Sequence, residues 1–222
     1  MLKGLSRYSG RGVFLALACF GLLVAACGGS DSPSGDAGSA EPSASHGDDG
    51  IPVVHIPTRW ATGNAADLRT LVATNGTVFV GRVTGLKETR LEDPLGGAGP
   101  SSDRARVPVS VFEVKVDASL AGGARERSTV LIEQAGGVSL NLDGSHKLFV
   151  LGGDEPLAVG ERYLFFATTK SNGNLTAPPF GRFTVSGDGT LLPSATWARL
   201  GAVQQLAGLR VEEARREIAE AR

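Results

Sequence analysis

The chain has little cysteine, little histidine and almost no net charge, and each shortage removes a class of function. Its two cysteines are Cys19 and Cys27. Both precede the part able to fold, so no disulfide can staple that part, which must rest on an apolar core. Three histidines, His46, His55 and His146, stand too far apart for ligand spacing, so no metal site and no cofactor is expected. A formal net charge of −1 with no basic run argues against a nucleic-acid partner. Gly-x-Ser-x-Gly, His-Glu-x-x-His and Gly-x-x-x-x-Gly-Lys are all missing. Asp143-Gly144-Ser145-His146 holds hydrolase residue types. Neighbours on one loop seldom converge as a triad must, and an Asp-Gly turn explains them. No catalytic residue is assigned, and the chain is expected not to be an enzyme.

The N-terminus is more informative. Lys3, Arg7 and Arg11 precede an apolar run, Val13–Ala26, that contains no charge. A permanent membrane helix needs roughly 20 apolar residues, so this shorter run suits the apolar region of an export signal, residues 1–26. Leu23-Val24-Ala25-Ala26-Cys27-Gly28 resembles the lipobox of bacterial lipoproteins. The resemblance implies that Cys27 is the lipidation residue, taking a diacylglyceryl group on its thiol and a further acyl chain on its freed amine. An ordinary Ala-x-Ala cleavage site beside an incidental cysteine is the competing reading. Two or more fatty chains hold a protein on a membrane where one does so only marginally.

Residues 27–50 are rich in Gly, Ser, Ala, Asp and Pro with almost no large apolar side chain, and read as a disordered tether. Such a chain spans roughly 25–30 Å. His46, within it, reads as a solvated linker residue. Residues 51–222 are then one domain of ordinary globular composition.

In that domain Asn64 is placed to cap a helix over Ala65–Ala73, which Asn75-Gly76 stops. Thr77–Leu86 reads as a strand buried on both sides, with Gly81 marking a bend or a close backbone approach. Leu91–Asp103, rich in Gly and Pro, is a loop. Arg106–Asp117 carries Val107, Val109 and Val111 in one alternating phase and Phe112, Val114 and Val116 in the other, which predicts a bulge near Val111-Phe112. Further strands are predicted at Ser128–Gln134, with Val130 and Ile132 inward, at Leu148–Leu151, and at Glu161–Thr169, the most apolar and so central. Arg182–Val185 and Thr190–Leu192 form a hairpin about Ser186–Gly189. Leu209–Arg222 switches to helical period. The expected fold is mainly β: a small OB-like closed barrel of five to six strands, with a short N-terminal helix and a C-terminal amphipathic helix.

Four strings carry a family resemblance: Val78–Val83, Val114–Leu120, Val159–Phe166 and Phe180–Val185. Together they resemble the bacterial branch of the netrin-like domains, which share an OB-type barrel with the tissue inhibitors of metalloproteinases. Those inhibitors chelate zinc through a free N-terminal cysteine. Here the resemblance implies the barrel and not that mechanism, because Cys27 is the expected lipid attachment and lies far before the barrel.

Ten aromatics follow the leader: Trp60, Phe79, Phe112, Phe149, Tyr163, Phe165, Phe166, Phe180, Phe183 and Trp197. Most sit in phases expected to be interior. Trp60, Phe180 and Trp197 lie outside the clearest strands, and one exposed patch formed by them would mark a binding site. The sequence thus predicts a monomeric lipoprotein on the extracytoplasmic face of the cell membrane. Its expected role is to bind another envelope component, protein or glycan, with an envelope enzyme or a structural spacer as alternatives.

Overall fold

A computed structural model describes residues 43–46, 50–92, 106–140 and 145–222. The leader, Cys27 and most of the tether lie outside these residues, as do Asp143 and Gly144. Alternating apolar residues dominate the described chain, and the fold is mainly β, 47% strand and 22% helix.

In chain order the elements are β1 (Ser43–His46), β2 (Pro52–Ile56), a 3-10 turn at Thr62–Ala65, α1 (Leu68–Asn75), β3 (Thr77–Glu92) and β4 (Val107–Ala121). Then come β5 (Thr129–Ala135), β6 (Gly137–Leu140), β7 (His146–Leu151), β8 (Arg162–Thr169) and β9 (Leu175–Thr176). The chain ends in β10 (Arg182–Val185), β11 (Leu191–Pro193), α2 (Gly201–Leu206) and α3 (Val211–Glu220). The large sheet has seven strands in the order β11-β10-β8-β3-β4-β5-β9, and β9 also pairs with β8. The small sheet has the order β1-β2-β7-β6, with β2 and β7 parallel. β1 lies within the stretch assigned to the tether, and its backbone pairs with β2 from Ser43 opposite His55 to His46 opposite Pro52.

The middle of the large sheet is buried on both faces. Val78 and Val80 of β3, Leu164 and Phe166 of β8, and Phe183 and Val185 of β10 form one cluster with the apolar faces of α1, α2 and α3. Phe79 and Val83, Phe112 and Val114, Ile132, and Phe165 and Ala167 form a second cluster, between the strands and Leu157. β3 and β8 contribute to both clusters because successive side chains alternate. These two strands pair with each other near the middle of the sheet.

Several expectations are corrected. The described residues hold eleven strands in two sheets rather than five or six, because β1, β2, β6 and β9 are short and carry little periodicity, whereas β7 contains the predicted Leu148–Leu151 strand. The cap of α1 is Asp67, not Asn64: its Oδ1 accepts from the Thr70 N–H at 2.7 Å, and that hydrogen bond lowers the carboxyl's pKa. Gly76, at φ 66°, ends α1 as the Asn75-Gly76 pair predicted. β4 runs regularly past Val111-Phe112 against β5. The irregularity opposite those residues is on β3, where Lys87 is the extra residue between Leu86 and Glu88. The change of phase in β4 arises because its first half is buried on both faces. The C-terminal segment holds a second short helix, α2, that the sequence did not separate.

Gly81 does mark a close approach. A Cβ there would lie 2.6 Å from Val114 Cγ1 and 2.9 Å from the Lys115 carbonyl oxygen, at a register shift between β3 and β4. Gly81→Ala is expected to cost about 1–3 kcal/mol as overpacking. Urea denaturation should read it as a lower midpoint at unchanged slope.

Candidate functional site

Near the end of β5, Glu133 and Gln134 point to opposite sides of the strand, and both are buried. A buried polar group must find partners or cost several kcal/mol, roughly 2–7 depending on the reference. Glu133 Oε1 accepts from Arg90 at 2.6 Å, Asn174 at 2.6 Å and Asn172 at 2.8 Å, and Oε2 accepts from Lys170. Arg90 also contacts Glu88 and Glu92, so its guanidinium is held more firmly protonated, chiefly by Glu133. Burial pushes the Glu133 carboxyl up, but the Lys170 ammonium, the Arg90 guanidinium and the two amides outweigh burial and leave its pKa at about 2.

Gln134 holds a turn in place. Its Nε2 donates to Asp154 Oδ1 at 3.1 Å and to the Glu155 carbonyl at 2.7 Å, and its Oε1 accepts from the Leu157 N–H at 2.9 Å. These bonds press Leu157 into the second cluster and bury Asp154 against Arg182 of β10, whose Nη2 ion-pairs with Asp154 Oδ1. Both partners are more than nine-tenths buried. Burial lowers the Arg182 guanidinium to about 9, and the contact with Asp154 favours its protonated form at neutral pH. Arg182 Nε and the indole N–H groups of Trp60 and Trp197 are buried without a hydrogen-bond partner.

Two clefts meet at Asp154. One, about 490 Å³, has Arg182, Thr184, Tyr163 and Leu192 on its floor, with residues 153–157 on one wall and residues 194–197 on the other. Its floor follows from register: Tyr163 is opposite Thr184, which is opposite Leu192, so three strands set these side chains in a row. The other cleft, about 300 Å³, lies between Trp60, Asn75, Gln134 and Phe180. Gly152, at φ 56°, runs beside Trp60, which lines the second cleft. A Cβ there would lie 2.6 Å from Trp60 Nε1, so only glycine lets the chain pass the indole.

The residues singled out by sequence are not gathered in one place. Cys27, Asp143 and Gly144 lie outside the described residues. Ser145 and His146 are exposed at the start of β7, and His55 is exposed on β2. Trp60, Phe180 and Trp197 do not make one exposed patch. Phe180 is buried and meets Trp197 edge-on at 6.0 Å, and both tryptophans pack half-buried on the first cluster. Glu133, Gln134, Asp154 and Arg182 were missed. The available signals were a polar pair ending an apolar strand, a lone acidic pair after Gly152-Gly153, and an arginine flanked by Gly181 and Phe183. Compared with known proteins, the chain matches no protein-family model and no curated protein.

Two outcomes check these networks. Arg182→Ala should destabilise by about 3–5 kcal/mol, since it leaves the Asp154 charge buried and unpaired. Calorimetric melting of that variant is the measurement. The lowered Glu133 pKa contributes stability that is complete above about pH 4.5 and is lost as pH falls toward 2, on the order of 3 kcal/mol in all. Glu133→Gln should flatten that part of the acid-denaturation curve.

Proposed function

We propose that this protein is a membrane-tethered extracytoplasmic lipoprotein whose OB-type domain is a non-enzymatic binding module for another envelope component. The lipobox-like Leu23–Gly28 supports the anchor, and the order of basic residues, apolar run, small residues, cysteine and polar tether supports export. For the barrel, the support is β9: it pairs in parallel with β5 and antiparallel with β8, so that hydrogen-bonded neighbours run β3-β4-β5-β9-β8 and back to β3. A netrin-like relationship fits the same pairing, with α1 before the strands and α2 and α3 after them.

The observation that carries the binding role is the larger cleft, whose floor is polar and whose 153–157 wall is held in place by Gln134. Asp154 is committed to Arg182 there, which suits recognition better than proton donation. The domain works as a monomer on its tether.

Cys27→Ser tests the anchor. The variant should leave the membrane fraction for precursor and soluble forms, and mass spectrometry of the wild type should find a mature N-terminal cysteine carrying a diacylglyceryl group on its thiol and an acyl chain on its amine. Unchanged detergent partitioning, or an unmodified Cys27, refutes the anchor. For the binding role, Thr184→Trp should fill the cleft and abolish crosslinks to envelope material that the wild type forms. Turnover of a cell-surface polymer by the wild type would favour the enzyme reading.

A further inference from the structure

The chemistry of the larger cleft narrows its ligand, an inference that rests on the binding-module reading above. Its two deepest charges cancel, because Asp154 and Arg182 are paired with each other and more than nine-tenths buried. A ligand bearing a charge would therefore meet no free counter-charge on the floor, and burying an unpaired charge is costly. At the rim, exposed Glu155 adds a negative charge, which disfavours anions further.

What the cleft does offer is hydrogen-bonding capacity and ring faces. Tyr163 Oη accepts from the Ala158 N–H at 3.1 Å, which leaves its own hydroxyl hydrogen to donate. Thr184 places a second hydroxyl beside it in register. Asp154 accepts, and Arg182 retains a donor, Nε, with no acceptor. Tyr163 and Trp197 are half-buried rings that line the space. Gln134 holds the acidic wall with three hydrogen bonds, so the polar groups are positioned before any ligand arrives, which reduces the ordering cost of binding.

An uncharged, polyhydroxylated ring with an apolar C–H face matches each of these features. A space of about 490 Å³ falls in the roughly 300–1,000 Å³ range of small-ligand sites. We propose that the cleft over Tyr163 and Thr184 is a binding site for a neutral saccharide, with Trp197 and Tyr163 against the ring face and Asp154 and Arg182 on adjacent hydroxyls.

The test is isothermal titration calorimetry on the full-length protein in detergent. The probes are maltotriose, mannotriose, arabinotriose and the β-1,4-linked trimer of N-acetylglucosamine, with trigalacturonate as the anionic control. At least one neutral trisaccharide should bind saturably and trigalacturonate should not. Thr184→Trp, which blocks the floor without touching the Gln134 and Asp154 bonds, should weaken binding at least tenfold. Trp197→Phe should weaken it severalfold, and Val159→Ser, at an exposed turn outside the cleft, should leave it unchanged.

No saturable binding by any neutral trisaccharide overturns the assignment. So does binding that survives Thr184→Trp within twofold, or a preference for trigalacturonate. The crosslinking comparison separates the two levels. Silent sugars with envelope crosslinks that still depend on Thr184 mean that the cleft binds another class, a peptide among them, and the binding-module reading stands. Silent sugars with crosslinks indifferent to Thr184→Trp remove both.

Discussion

The constraint on which this fold depends is that β3 and β8 are apolar on both sides. Val78 and Val80 face one way and Phe79 the other; Leu164 and Phe166 face one way and Phe165 the other. Strands of this kind cannot leave a face in water, since each large apolar side chain left exposed forgoes about 1.5–3 kcal/mol. One face is covered by the three helices. The other is covered by β4, β5, β9 and Leu157. The absence of a cysteine pair after residue 50 makes this double burial the source of the domain's stability, because no crosslink constrains the unfolded chain.

Double burial also sets where polar groups must be dealt with. A strand that ends among apolar neighbours can carry a buried carboxylate or amide only if partners arrive from elsewhere in the chain. Glu133 draws Arg90 from β3 and Lys170, Asn172 and Asn174 from the turn between β8 and β9, and so ties three strands at one end of the sheet. Gln134 draws the turn that precedes β8 across its own side. The Asp154–Arg182 pair follows from that placement: once Gln134 has pulled Asp154 under cover, only a buried cation makes the position tolerable. Such pairs add little net stability against apolar replacements, although breaking one is costly. Its consequence here is geometric, since it fixes the 153–157 wall relative to β10.

Legibility in the sequence followed the strength of local pattern. Leu68, Leu71 and Val72 at helical spacing, Asn75-Gly76 as a stop, the unbroken Tyr163–Ala167 run and the Ser186–Gly189 turn each reported their element, because the cause is local in each. The two-residue β9 is defined only by its partners, and nothing in Leu175-Thr176 announces that it pairs with both β5 and β8. Alternation misled at β4. Val109 and Val111 are buried, and Gly136, between β5 and β6, bridges Val109, while Glu113 and Lys115 on the same alternation are exposed. A change of cover along one strand looks in sequence like a change of phase. The polar site was least legible, since Gln134, Asp154 and Arg182 lie far apart in the chain and each alone resembles an ordinary surface residue.

That same change of cover bears on where a ligand can sit. OB-type barrels commonly present ligands on the outer side of their second and third strands, here β4 and β5 under the proposed reading. On β4 the half nearest β6 is buried, and the remaining outward residues Glu113, Lys115 and Asp117 offer mixed charges and no ring on which to stack. β10 and β11, by contrast, extend the sheet beyond β8. Their face alongside Tyr163 is only partly covered, because the helices pack on the opposite face through Phe183, Val185 and Leu191. An overhanging pair of strands with one face committed to helices leaves the other available. The turn held by Gln134 then converts that open face into a cleft, so that under the proposed reading recognition sits at the sheet's extension and away from the platform of an OB-type barrel.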